Sequence, residues 1–184
     1  NMVRLGYDAA GVAITGGYFI TGIWEAAGTN NFYYNNVYIG GTEVVSVSNT
    51  YCYYSVVNTV RNCRNNIFHN ARSNSIATLT PNFAMRITGS ASNLTSNNND
   101  LLADGTDGYI GYINGTFYET FANWQGTGKD ANSVYVNPQF INPTGSAATG
   151  NLHLNNYSPL NALAIPVTGI VNDFDNDTRD VTTP

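Results

Sequence analysis

Apolar and polar residues alternate along this chain in short bursts. Period-two patches fall at 12–14, 18–20, 37–39, 44–47, 53–57, 76–79, 84–87 and 134–136, and Gly, Asn, Asp and Ser separate them. Such runs, bounded by turn residues, predict short β-strands. Helical periodicity is nearly absent. The exception is 116–125, where Phe117, Phe121 and Trp124 are spaced by four and then three. That spacing predicts a short amphipathic helix with Thr116 or Thr120 as its cap.

The bursts repeat. Tyr34-Asn35-Asn36-Val37-Tyr38-Ile39 returns as Arg64-Asn65-Asn66-Ile67-Phe68-His69-Asn70, and more loosely as Asn97-Asn98-Asn99-Asp100-Leu101-Leu102. Asn35 and Asn65 are 30 positions apart, and Asn65 and Asn98 are 33 apart. A recurrence of this period with one short strand per copy is the signature of a solenoid. Many short strands also suit an antiparallel sandwich. Two-residue hairpin turns at the spacing of a meander are scarce, however, and the Asn pairs recur at a steady interval. Both features favour a parallel β-helix, in which equivalent positions of successive coils stack. Stacked Asn side chains bond to one another and to backbone, and Asn tolerates the left-handed conformation that tight bends require. Val37, Ile39, Ile67 and Phe68 are the expected inward column.

The expected fold class is therefore all-β, a right-handed parallel β-helix solenoid with a short external helix near 117–125 and a loop-rich C-terminal cap. One domain over 1–184 is expected. Coils occupy about 1–105, an insertion over 106–129 lies outside the coil and buries Trp124, and a last coil and cap cover 130–184. The opening Asn1-Met2-Val3-Arg4-Leu5 reads as mid-fold sequence, so a segment of a longer polypeptide is expected.

Composition narrows the partners. Charged residues make up 10% of the 184, far below the roughly 25% of average domains, and the net charge is −5. With seven Lys and Arg spread thinly, there is no basic patch for nucleic acid. No apolar run is long enough for a membrane span. Cys52 and Cys63 are 11 apart, an odd offset that points to opposite faces of a continuous strand. Two readings stand: a disulfide across an intervening turn, or two buried thiols.

Candidate chemistry is sparse. Asp173, Asp175 and Asp177 place three carboxylates around one turn, as the first half of a calcium loop does. The alternative is that Arg179 pairs with these carboxylates and locks the cap. The cofactor expectation is thus none, or Ca2+ at this turn. Asp100, Asp104 and Asp107 form a second acidic group near Gly105 and Gly108. His69 and His153 read as packing or turn residues. No nucleophile motif, phosphate loop or zinc spacing is present. Tyr is frequent, and alternate aromatics of a strand must face outward. Tyr33, Tyr53 and Tyr54 are the candidates for an exposed row that stacks on sugar rings or on a neighbouring subunit.

The order of several segments resembles a known family. Asp130-Ala131-Asn132-Ser133-Val134, Asn137-Pro138-Gln139-Phe140-Ile141-Asn142, Asn151-Leu152-His153-Leu154, Ser158-Pro159-Leu160-Asn161-Ala162 and Asp173-Phe174-Asp175-Asn176-Asp177-Thr178-Arg179 follow one another. This series looks like the C-terminal part of right-handed parallel β-helix domains, pectin-lyase-like in fold, of large secreted and surface proteins of bacteria. Asn65 to Asn74 is similar to a coil unit of the same group, and the resemblance spans roughly 31–184. Such domains usually continue into a short strand carrying Gly-Ala and an acidic residue, and the resemblance implies that such a strand is expected after Pro184. The family includes polysaccharide lyases and hydrolases, and this subgroup resembles adhesin and surface-layer modules. Lyases of the fold use calcium-bridging carboxylates and a basic residue. Here that implies Arg61, Arg64, Arg72 or Arg86 with Asp100, Asp104 or Asp107, and spacing favours no one set. The expectation is a non-catalytic extracellular module, secreted or at the cell surface. It would be adhesin-like or a subunit of a surface filament, with a surface glycan or copies of itself as partner. The alternatives are a polysaccharide lyase or hydrolase acting on acidic glycans, and a carbohydrate-binding module without turnover.

Overall fold

The computed structural model describes residues 1–45, 48–75 and 80–184; the strand predicted at 76–79 and the end of that at 44–47 lie outside them. After β1 (Met2–Leu5) the chain repeats one order of strands. The first turn is β2 (Ile20–Glu25), β3 (Asn31–Tyr33), β4 (Asn36–Ile39) and β5 (Thr42–Glu43). The second is β6 (Thr50–Ser55), β7 (Arg61–Arg64), β8 (Ile67–Asn70) and β9 (Ser73–Asn74). The third is β10 (Asn82–Ile87), β11 (Leu94–Asn97) and β12 (Asp100–Ala103), and β13 (Gly108–Ile113) opens a fourth. Within these turns each strand pairs in parallel with its equivalent in the next. The molecule is a parallel β-solenoid of about three turns, nearly all-β.

Register explains the repeat. Val37 pairs with Phe68, and Phe68 with Leu101, and all three are fully buried in the core. The neighbouring column, Asn36, Ile67 and Asp100, faces the other way. Ile67 is therefore not inward as the repeat suggested. It packs with Tyr38, Phe140 and Leu152 on the outside of this sheet. Phe140 and Leu152 belong to β15 (Phe140–Asn142) and β16 (Asn151–Leu154), an antiparallel pair. The sheet is covered on both faces, which is why its strands read as almost continuous apolar runs.

Between the first two turns the stack is one residue out of the sequence alignment: Asn35 lies under Asn66, not Asn65, whereas Asn66 lies under Asn99 at the offset of 33 that the repeat shows. The left-handed position before each is Tyr34, Asn65 and Asn98, with φ of 54°, 56° and 56°. Asn fills two of these three bends because its short polar side chain lowers the cost of that conformation.

The end of the coil also differs from expectation. Gly108–Ile113 is not outside the coil: β13 pairs in parallel with β10. Thr116–Tyr118 is not helix but β14, antiparallel to β13. Only Phe121–Gln125 is helical, as α1, and the Thr120 hydroxyl caps it by accepting from the Asn123 N–H at 3.2 Å. Trp124 is buried against the core and sits on Gly111, where a Cβ would stand 2.2 Å from its ring.

Candidate functional site

A ladder of side chains runs the length of the bend column. The Asn1 amide donates to Asn35 Oδ1 at 2.8 Å, Asn35 to Asn66 Oδ1 at 2.8 Å, and Asn66 to Asn99 Oδ1 at 3.0 Å. Asn99 then donates to Asp130 Oδ1 at 3.0 Å. Every amide points its donor the same way, and the series ends on a carboxylate, which only accepts. Asp130 also accepts from Ser96 Oγ, Ser133 Oγ and Trp124 Nε1. A buried carboxylate is tolerated where several donors surround it. The sequence flagged the Asn pairs but not Asp130.

Two buried ion pairs fix the turns internally. Glu25 lies 3.3 Å from Arg61 and accepts from the Tyr53 and Ser55 hydroxyls. Glu43 lies 3.1 Å from Arg72, whose remaining nitrogens donate to Gly40, Ile14 and Gly16 carbonyls. Arg61 and Arg72, implied as bases by the family resemblance, are thus committed to the interior. Arg64 is half-buried on β7. Cys52 and Cys63 are free and buried, and burial raises both thiols.

The three tyrosines do not form one row. Tyr33 is half-buried on β3, and Tyr53 is a core residue with its ring stacked on Phe68. Inside the core Tyr53 is no surface contact. Tyr54 does lie on an outer row. Across the five-stranded sheet β14-β13-β10-β6-β2, register aligns Trp24, Tyr54, Arg86, Tyr112 and Phe117. Trp24 and Tyr54 stack at 6.4 Å and 6°. The Arg86 guanidinium lies 5.0 Å from the Tyr54 ring centre and 4.9 Å from that of Tyr112, and Phe117 meets Tyr112 edge-on at 5.2 Å. Trp24 is 63% and Phe117 52% exposed. A second file, Tyr51, Phe83 and Tyr109, lies beside it, and the exposed Phe19 leans on Tyr51. Arg86 Nη1 donates to the Tyr51 hydroxyl, and among the described residues Arg86 has no carboxylate partner.

The acidic groups separate and regroup. Asp104 pairs with His69 at 2.8 Å. Partial burial pushes the Asp104 carboxyl up, but the hydrogen bond and charge of His69 outweigh this and hold it below its ordinary value. Asp107 accepts from the Asn74 amide. Asp100 instead lines a cavity of about 320 Å³ between the bend column and the C-terminal segment, together with Asp173, Asp175, His153 and Arg179. Burial pushes the Asp100 carboxyl up to about 7, opposed by the Val136 N–H and helped by Asp104. Residues 100 and 173–179 come together only because the C-terminal segment folds back across the bends, where Ile165 bonds to Tyr34 and Asn65. No local sequence pattern encodes that approach.

The 173–177 turn is held by its own carboxylate. Asp173 Oδ1 accepts from the Asp175 and Asp177 N–H groups, each at 2.9 Å, and Asp175 Oδ2 contacts His153 Nε2 at 2.6 Å. Among the described residues no three metal-binding side chains converge. Arg179 does not pair with the aspartates either. Its guanidinium lies 3.9 Å over the Tyr34 ring and donates to the Asn172 carbonyl.

Fold and surface together define a parallel β-solenoid with one aromatic sheet face and one strapped, cavity-bearing face. No family model, curated protein or solved structure matches the chain. Among the described residues no helix is long and apolar enough to cross a membrane.

Proposed function

We propose that this chain is a non-catalytic, adhesin-like β-solenoid module of a secreted or surface protein, pectin-lyase-like in fold, that holds a surface glycan on its aromatic sheet face. The row Trp24, Tyr54, Arg86, Tyr112 and Phe117 carries this reading. It places one flat side chain on each of five neighbouring strands, with the Arg86 guanidinium between two pairs of rings. Sugar rings present flat C–H faces that pack on exposed aromatics, and an aromatic patch of this kind marks an interaction surface. The face is supported from within: Tyr53, Met85 and Ile87 anchor the same strands in the core. A platform fixed before binding loses little entropy when it binds.

Glycan-array binding followed by tryptophan fluorescence titration tests this. Trp24→Ala and Tyr54→Ala are each expected to weaken binding by about tenfold or more, stacking contacts being worth roughly 1–2 kcal/mol. Glycan should remain chemically unchanged after incubation. Cleavage products, or binding indifferent to both substitutions, would remove the proposal.

A further inference from the structure

We infer that the cavity between the asparagine bends and the C-terminal segment binds a small zwitterion, an ammonium and a carboxylate on one apolar frame, as in an apolar α-amino acid. This goes beyond the glycan face and does not depend on it. The cavity, at about 320 Å³, falls at the lower end of the roughly 300–1,000 Å³ typical of small-ligand sites.

The argument is an accounting of the polar groups in its wall. Most are already committed. The Asn36 amide donates to the Leu152 carbonyl, and both polar atoms of Asn65 bond to Ile165. Asp175 faces His153, and Asp173 holds its turn. Beside the chain ends, Asn1 and Pro184, two side chains of opposite kind keep unused polar atoms. Asp100 is 2% exposed and uses Oδ1 for the Val136 N–H at 3.1 Å, while its Oδ2 has no partner. Arg179 spends one nitrogen on the Asn172 carbonyl and its flat face on Tyr34, with no carboxylate within 4.0 Å among the described residues.

A buried carboxyl oxygen without a donor is costly, and a guanidinium edge is shaped for a carboxylate. The two do not satisfy each other. A ligand bearing both complementary charges satisfies both at once. The same wall carries an apolar set, Ile67, Leu154, Leu160 and Leu163. An aliphatic side chain fits that lining better than a ring of hydroxyls, each of which would need a donor or acceptor.

Isothermal titration of the full chain at pH 8, where the Asp100 carboxyl has given up its proton, tests this with four probes: L-leucine, leucinamide, 4-methylpentanoate and glucose. Leucine is expected to bind. Leucinamide, lacking the carboxylate, and 4-methylpentanoate, lacking the ammonium, are each expected to bind at least about tenfold more weakly. Asp100→Asn keeps an acceptor for Val136 and should erase the preference for leucine over 4-methylpentanoate. Arg179→Gln, on the half-exposed side, should erase the preference over leucinamide, and it reads the second charge independently if Asp100→Asn fails to fold. No heat from leucine, binding of glucose alone, or leucine affinity that survives Arg179→Gln would overturn the assignment.

Discussion

At the scale of single residues, direction matters more than number. The amide ladder runs one way from Asn1 to Asp130, so each asparagine between these ends is both donor and acceptor. Asn66 sits in its middle, accepting from the Asn35 N–H and amide and donating to Asn99 and to the Phe32 carbonyl. Asn66→Ala strands several buried groups at once. It should cost roughly 2–4 kcal/mol in urea unfolding, well above the about 1 kcal/mol of an ordinary hydrogen bond. Asp130→Asn should also destabilise, because an amide nitrogen would be turned toward donors that now meet a carboxylate. Asp100 gives a pH signature. Its folded-state carboxyl is raised from 3.8 to about 7, so the folded chain holds a proton that the unfolded chain releases. The contribution of Asp100 is therefore fully present below pH 3.8 and is lost as pH rises towards 7, by up to roughly 4 kcal/mol. Asp100→Asn removes this loss. Thermal melts should find the variant more stable than wild type at pH 8 and no more stable at pH 4.

At the scale of elements, the strands were legible where alternation and apolar content coincide. Residues 37–39 and 84–87 fall in β4 and β10 as the pattern predicts. β7 and β11, Arg61–Arg64 and Leu94–Asn97, were not legible, because their outward positions are polar and one of the two buried residues in each, Arg61 or Ser96, is polar as well. They are strands because parallel neighbours hold them, which is tertiary context overriding local preference. The patches at 12–14 and 18–20 went the other way: Ala13 makes an isolated bridge to Tyr7, and only Ile20 enters a strand. The helix was legible by its spacing but too long by one strand, since Phe117 belongs to the aromatic row rather than to a helical face. The candidate site was legible only in part. Tyr54 was named from the tyrosine clusters together with Tyr33 and the core residue Tyr53, whereas its neighbours Trp24 and Arg86 are fixed by register between turns, which no single-strand pattern carries. Closure of the coil by α1 yields a further expectation. Thr120→Ala should cost about 1 kcal/mol through loss of the cap, and Trp124→Ala about 3–5 kcal/mol through the cavity it leaves and the donor it removes from Asp130.

At the scale of the whole molecule, the parallel stack turns a repeated sequence into two unlike surfaces. One sheet carries an aromatic outer face, and another is strapped by the C-terminal segment over a cavity. The first arises from the in-register placement of equivalent residues one turn apart, and the second from the C-terminal segment folding back across that stack. Solution NMR with isotope-labelled protein tests the in-register placement most directly. Stacking in parallel register predicts contacts from Val37 to Phe68 and from Phe68 to Leu101, with Asn side-chain amide contacts from Asn35 to Asn66 and from Asn66 to Asn99. Neighbouring strands found running antiparallel, or Asn35 found next to Asn65 rather than Asn66, would contradict the account.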